Sequence, residues 1–143
     1  MRSLLRGAVV STTAMAVVIG AGWASRRAVA ADEAVTPEVV MKSLFAGKHS
    51  PLNTLKTEAK ANAPDWAKIK EAAAKFPKYG PELGKNGPPQ GDKASWAKLT
   101  KTLAEESKAL DEAAAKQDRE ALAARVQTIG ASCKACHSVH RPD

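Results

Sequence analysis

Apolar side chains recur along this chain at the three- and four-residue spacing that gathers them on one face of a helix. Val40, Met41, Leu44 and Phe45 make a first stripe, and Leu52, Leu55 and Ala59 a second. Trp66, Ile69, Ala73 and Phe76 follow at intervals of three, four and three. Trp96, Leu99, Leu103 and Leu110 mark a longer stripe, with lysines and glutamates on the opposite side. The last stripe, Leu122, Val126, Ile129 and Cys133, runs straight into the cysteines, so cysteines and core face the same way. No stretch alternates β-branched and polar residues as a strand would, and alanine, lysine, leucine and glutamate dominate.

The helix boundaries share a chemistry. Thr36-Pro37-Glu38 and Ser50-Pro51 each place a capping side chain before a proline, whose missing N–H costs nothing in a first helical turn. The first two stripes are therefore one helix kinked at Gly47 or two short helices. Ala63-Pro64-Asp65 opens the third, and Pro77 stops it. Gly80, Pro81, Gly84, Gly87, Pro88, Pro89 and Gly91 then crowd a stretch that no regular helix is expected to tolerate, so 77–91 reads as a loop. Its length points to a functional or mobile crossover. A long helix begins near Asp92 and breaks at Gln117-Asp118, where Asp118 caps the next one. The expected fold is all-α, an antiparallel four-helix bundle whose connections are short except at 77–91. A chain of 143 residues is enough for one such domain with a real core.

The first 30 residues stand apart from that domain. Arg2 and Arg6 precede an apolar, small-residue run from Gly7 to Ala24, and Ala28-Val29-Ala30 offers small residues where a signal peptidase cuts. Residues 1–30 therefore read as an export signal and 31–143 as the domain, with retention of the apolar run as a membrane anchor the alternative. Residues 1–30 hold four arginines and no acid, so their removal lowers the formal charge from +7 to +3. That balance is mild, and aromatic and basic residues are not interleaved. Nucleic acid is accordingly not an expected partner, and no stable membrane insertion is expected after cleavage.

Candidate chemistry concentrates at the C-terminal end, where Cys133, Lys134, Ala135, Cys136 and His137 spell C-x-x-C-H, the attachment motif of c-type haem. Residues three and four apart share a helix face, so both thiols can reach the vinyl groups of one porphyrin while His137 offers an imidazole nitrogen to the iron. Attachment also needs reduced cysteines to meet haem outside the cytoplasm, which an export signal provides. Three other readings of these residues compete. A Cys133–Cys136 disulfide would strain a helix and leave His137 without a role. A thioredoxin-like pair needs a βαβ context and a helix that begins at the motif. A zinc site from Cys133, Cys136, His137 and His140 would crowd its ligands into two turns.

A four-helix pattern ending in Cys133-Lys134-Ala135-Cys136-His137-Ser138-Val139-His140-Arg141 resembles the class II cytochromes c, meaning cytochrome c prime and its low-spin relatives. His140 stands at the family's usual tyrosine position, and Arg141 matches its basic residue. The resemblance implies one covalent haem packed inside one end of the bundle, with the sixth iron position facing the first helix. In the low-spin relatives a first-helix methionine fills that position, and Met41 is the one methionine beyond residue 30. Met41 is either that ligand or ordinary apolar filler, and the arginine-glutamine pair that precedes the ligand in the family is missing. His49 is a second, less favoured candidate for the sixth ligand. His140 lies on the proximal side and is expected to meet the negative end of the helix dipole together with Arg141. Arg141 pairs with a haem propionate or stands as a plain terminal charge. Trp66, Phe76, Trp96 and Leu99 are expected in the core and around the haem.

The expected function is that of a periplasmic mono-haem electron carrier, not an enzyme, whose iron cycles between Fe(II) and Fe(III) for redox partner proteins; a homodimer is compatible with it. Two alternatives stand beside it. One is a five-coordinate haem protein that binds nitric oxide or carbon monoxide. The other is a haem-free metal-binding or interaction bundle.

Overall fold

The structure is a computed structural model that describes residues 35–141; the export signal read from residues 1–30 lies outside the described residues. Its helices are α1 (Pro37–Leu44), α2 (Pro51–Lys60), α3 (Trp66–Ala73), α4 (Lys75–Tyr79), α5 (Glu82–Lys85), α6 (Lys93–Lys116) and α7 (Arg119–His140). Among the described residues there is no strand.

The capping residues read from the sequence are the ones that start the helices. Thr36 and Ser50 hydroxyls accept the N–H groups of Val39 and Asn53. The Asp65 carboxylate accepts two, from Ala67 and Lys68, and these bonds with the Lys68 ammonium hold it below the usual carboxylate range. Asp92 accepts from Ser95 at 2.7 Å, and Asp118 from Ala121 at 3.0 Å. Each cap satisfies donors that a helix N-terminus leaves without a partner inside the helix. Gly47, at φ +87°, turns the chain between α1 and α2, so they are two short helices rather than one kinked one. Gln117 takes the left-handed conformation at φ 57° and ends α6 directly before the Asp118 cap.

Helices α2, α3, α6 and α7 close a ring, each packed on the next and α7 back on α2. The pairing is antiparallel. Ser95 near the start of α6 meets His140 at the end of α7, Glu106 meets Arg125 midway, and the turn at Gln117 joins the other ends. Leu44, Leu55, Ile69, Leu110, Leu122 and Ile129 are fully buried between the helices. Phe76 is buried too, and Phe45 of the α1–α2 turn meets it edge-on at 6.0 Å.

The segment 77–91 differs from the loop expected of it, because two single-turn helices occupy its first half. Pro77 is the third residue of α4, where a backbone N–H has no helical acceptor to lose, and Pro81 precedes α5 for the same reason. The prolines and glycines thus divide the helix into short pieces instead of abolishing it, and only 86–91 is irregular. Gly80 is helical, and a Cβ there would run into the Ser107 hydroxyl and come within 2.9 Å of the Phe76 carbonyl. The glycine therefore brings the α4 backbone against α6. Ser107 at this contact, and Thr100 against Gly84 of α5, are buried with their hydroxyls bonded back to the Leu103 and Trp96 carbonyls of their own helix.

Gly80→Ala separates two effects of opposite sign. Helix propensity alone favours alanine by about 1 kcal/mol. Overpacking against Ser107 costs about 1–3 kcal/mol. Net destabilisation in thermal or denaturant unfolding is the expected result, and a stabilised variant would contradict the close approach.

Candidate functional site

Helix α7 continues unbroken through the motif to His140, so Cys133, Cys136 and His137 occupy its last turns on one face. Neither cysteine is in a disulfide, and both are half-buried. Burial, and then the neighbouring Cys133, push the Cys136 thiol above its ordinary value. A thioredoxin-like redox cysteine needs the reverse, a thiolate favoured at neutral pH. Among the described residues no group of three or more His, Cys, Asp or Glu side chains is placed to hold a metal ion.

The motif faces an apolar recess of about 610 Å³, with a smaller one of about 80 Å³ beside it. Cofactor sites typically enclose ~300–1,000 Å³. The larger recess is walled by Met41 and Phe45 from the α1 end, Leu83 from α5, Pro89, Trp96 from α6, and Cys136 and His137 from α7. The smaller one adds Leu99, Leu103, Ile129 and Cys133 while sharing Met41, Cys136 and His137. Met41 therefore lies on the same cavity wall system as the C-x-x-C-H residues. His49 does not: it is exposed in the turn between α1 and α2 and lines neither recess. Arg141 is exposed at the rim, and Lys42 at the same rim is held by Glu38 at 2.8 Å.

Of the four residues assigned to core and surroundings, Phe76 is core, Trp66 packs against the core, Leu99 faces the recess, and Trp96 is a buried core residue that also walls the recess. Phe45, Leu83, Leu103 and Pro89 are wall residues that the sequence reading did not single out for the site. Leu83 carried a signal, as the one large aliphatic residue within the Gly/Pro segment.

The two C-terminal histidines also separate. His137 is exposed to the recess, and its ring makes no hydrogen bond among the described residues. His140 is 2 % exposed, with one ring nitrogen 2.8 Å from the Gln90 carbonyl and the other 3.2 Å from the Ser95 hydroxyl. Its expected role at the helix dipole is thus corrected. The ring is bound to the neighbouring segment, because burial requires both nitrogens to find partners.

With this geometry in hand, the comparison with known families is specific. The family model described as Cytochrome C' matches residues 89–141, from the end of the Gly/Pro segment through α6 and α7. Over these residues the chain is cytochrome c prime-like. The match supports a c-type haem cytochrome and rests on the helix pair that carries the motif, while the Met41, Phe45 and Leu83 side of the recess lies outside it. No curated relative and no solved structure matches the chain.

The donor set fits a haem. Two unlinked thiols and an uncommitted imidazole stand at apolar walls, and no buried side-chain nitrogen or oxygen among the described residues lacks a partner.

The raised Cys136 thiol gives a direct check. In Cys133→Ser protein made without haem attachment, alkylation of Cys136 should reach half its limiting rate above the usual thiol value of about 8.5, since burial, the larger cause, remains. A midpoint below that value would revive the redox-thiol reading.

Proposed function

We propose that the chain is an exported mono-haem c-type cytochrome that carries electrons, with haem held through Cys133 and Cys136 and iron ligated by His137. The observation that carries this reading is the gathering of Cys133, Cys136, His137 and Met41 around one apolar recess. When bound, haem supplies a one-electron Fe(II)/Fe(III) couple.

The chain's own residues do the rest. Cys133 and Cys136, one helical turn apart, anchor the macrocycle at two points and fix its orientation to α7. His137, uncommitted elsewhere, provides the proximal nitrogen. Phe45, Leu83, Trp96, Leu99 and Leu103 exclude water, which limits solvent reorganisation when the charge on the iron changes. Met41, from the first helix, is the sixth ligand in this reading, and a thioether there favours the reduced iron. Exposed Arg141 at the rim is placed to meet a propionate. Among the described residues at the recess, His140 is bound on both nitrogens and Glu38 is paired with Lys42, which favours a carrier over an enzyme. Export of the mature domain, beginning near residue 31, belongs to the same reading. Among the described residues no helix is long and apolar enough to cross a membrane.

Absorption spectra of the exported protein test this. The reduced wild type should show sharp, split α and β bands that carbon monoxide leaves unchanged. Met41→Ala should convert it to a broad, carbon-monoxide-sensitive form and lower the midpoint potential on the order of 0.1 V, within the roughly 0.8 V span that axial ligands command. A wild type that already binds carbon monoxide would replace the carrier with the gas-binding reading. Absence of haem would leave the haem-free bundle.

A further inference from the structure

The haem reading leaves buried His140 without a task, yet its ring bonds to Gln90 and Ser95 and packs on Trp96 at the recess wall. The Gln90 carbonyl can only accept, so the His140 Nδ1, 2.8 Å away, carries the proton. Nε2 lies 3.2 Å from the Ser95 hydroxyl, which can serve as either donor or acceptor. The ring meets Trp96 edge-on at 5.3 Å. The Trp96 indole donates to the Asn86 carbonyl at 2.8 Å, and the Asn86 amide donates to the carbonyls of Val35 and Glu82. Gln90 returns a hydrogen bond from its own amide to the Arg141 carbonyl.

This chain of contacts links the end of α7 to the segment 86–91, the start of α6, α5, and the residues just ahead of α1. The backbone passes close enough that only glycine fits at position 91, where φ is +82° and a Cβ would come within 2.8 Å of the Val139 carbonyl and 3.0 Å of His140 Nδ1. Pro89 and Trp96, within the linked stretch, wall the recess opposite Cys136 and His137. Leu55, Ile69, Leu110 and Leu122 of the buried core are not members of the clasp.

We propose that His140 is a positioning residue: its clasp on Gln90, Ser95 and Trp96 sets the spacing between the Met41–Pro89–Trp96 wall and the turn of α7 that bears His137. Through that spacing it governs ligand access to the iron and the iron's potential. The inference rests on the cytochrome reading for its effect on iron, while the clasp itself can be measured without it.

The test compares exported wild type with His140→Phe, His140→Asn and Ser95→Ala by three measurements: amide hydrogen exchange of residues 86–92, midpoint potential, and carbon monoxide affinity of the reduced protein, the last in a Met41→Ala background for parent and variants alike. His140→Phe keeps the ring and removes both hydrogen bonds. Exchange in 86–92 should rise about tenfold with α6 and α7 core amides unchanged, and carbon monoxide affinity should move by about tenfold. The potential should shift with it. His140→Asn should recover much of the loss, because its amide nitrogen sits where Nδ1 was. Ser95→Ala should fall between, and it carries the test if His140→Phe fails to fold. Haem-loaded variants with the parent's affinity and potential would overturn the positioning role even if exchange rises. A wild type without haem would defeat the cytochrome reading instead, and unchanged exchange in 86–92 would then overturn the clasp on its own.

Discussion

The register between α6 and α7 is the constraint on which the rest of the structure depends. It is fixed at three places. At the closed end, Gln117 in the left-handed conformation and the Asp118 cap reverse the chain within a minimal turn. Midway, Arg125 meets both carboxylate oxygens of Glu106 at 3.2 Å. At the open end, His140 bonds to Ser95 and packs on Trp96. With the register so set, the C-x-x-C-H turn of α7 must face Leu99 and Leu103 of α6 across the recess. A shift of one residue on either helix would rotate a wall residue by about 100° and close or empty the site.

The bundle is complete at one end and hollow at the other. Near the α6–α7 turn, Leu110, Ala113, Ala114 and Leu122 are buried at ordinary density. At the motif end, Met41, Phe45, Leu99 and Leu103 occupy core positions by sequence pattern yet remain half-buried. Met41, Phe45 and Leu103 pack on the core with one side and, like Leu99, face the recess with the other. An apolar group bound between them would cover their exposed sides, so that binding would also stabilise the fold.

Much of this was legible in the sequence because it rests on short-range chemistry. Capping residues sit within three positions of the amides they serve, apolar spacing of three and four names the buried face, and C-x-x-C-H is contiguous. The Gly/Pro segment was read less well. Its composition announces a loop, whereas α4 and α5 occupy most of 77–85, because Pro77 falls within the first turn of α4 and Pro81 stands just before α5. The role of His140 was invisible because Gln90 and Ser95 lie 50 and 45 residues away in sequence. Position at a helix end offered a dipole explanation, whereas burial and long-range partners decide the matter. Leu83 and Pro89, in a segment without periodicity, join the site only through tertiary placement.

The central claim is that Cys133 and Cys136 hold one haem beside His137. Intact-mass measurement of the exported protein, followed by mass spectrometry of the proteolytic peptide spanning residues 133–137, tests it most directly. A mass increase of one haem, localised to that peptide with both cysteines resistant to alkylation, is the result this account predicts. Unmodified or disulfide-linked cysteines in protein produced with a working cytochrome maturation system would contradict it.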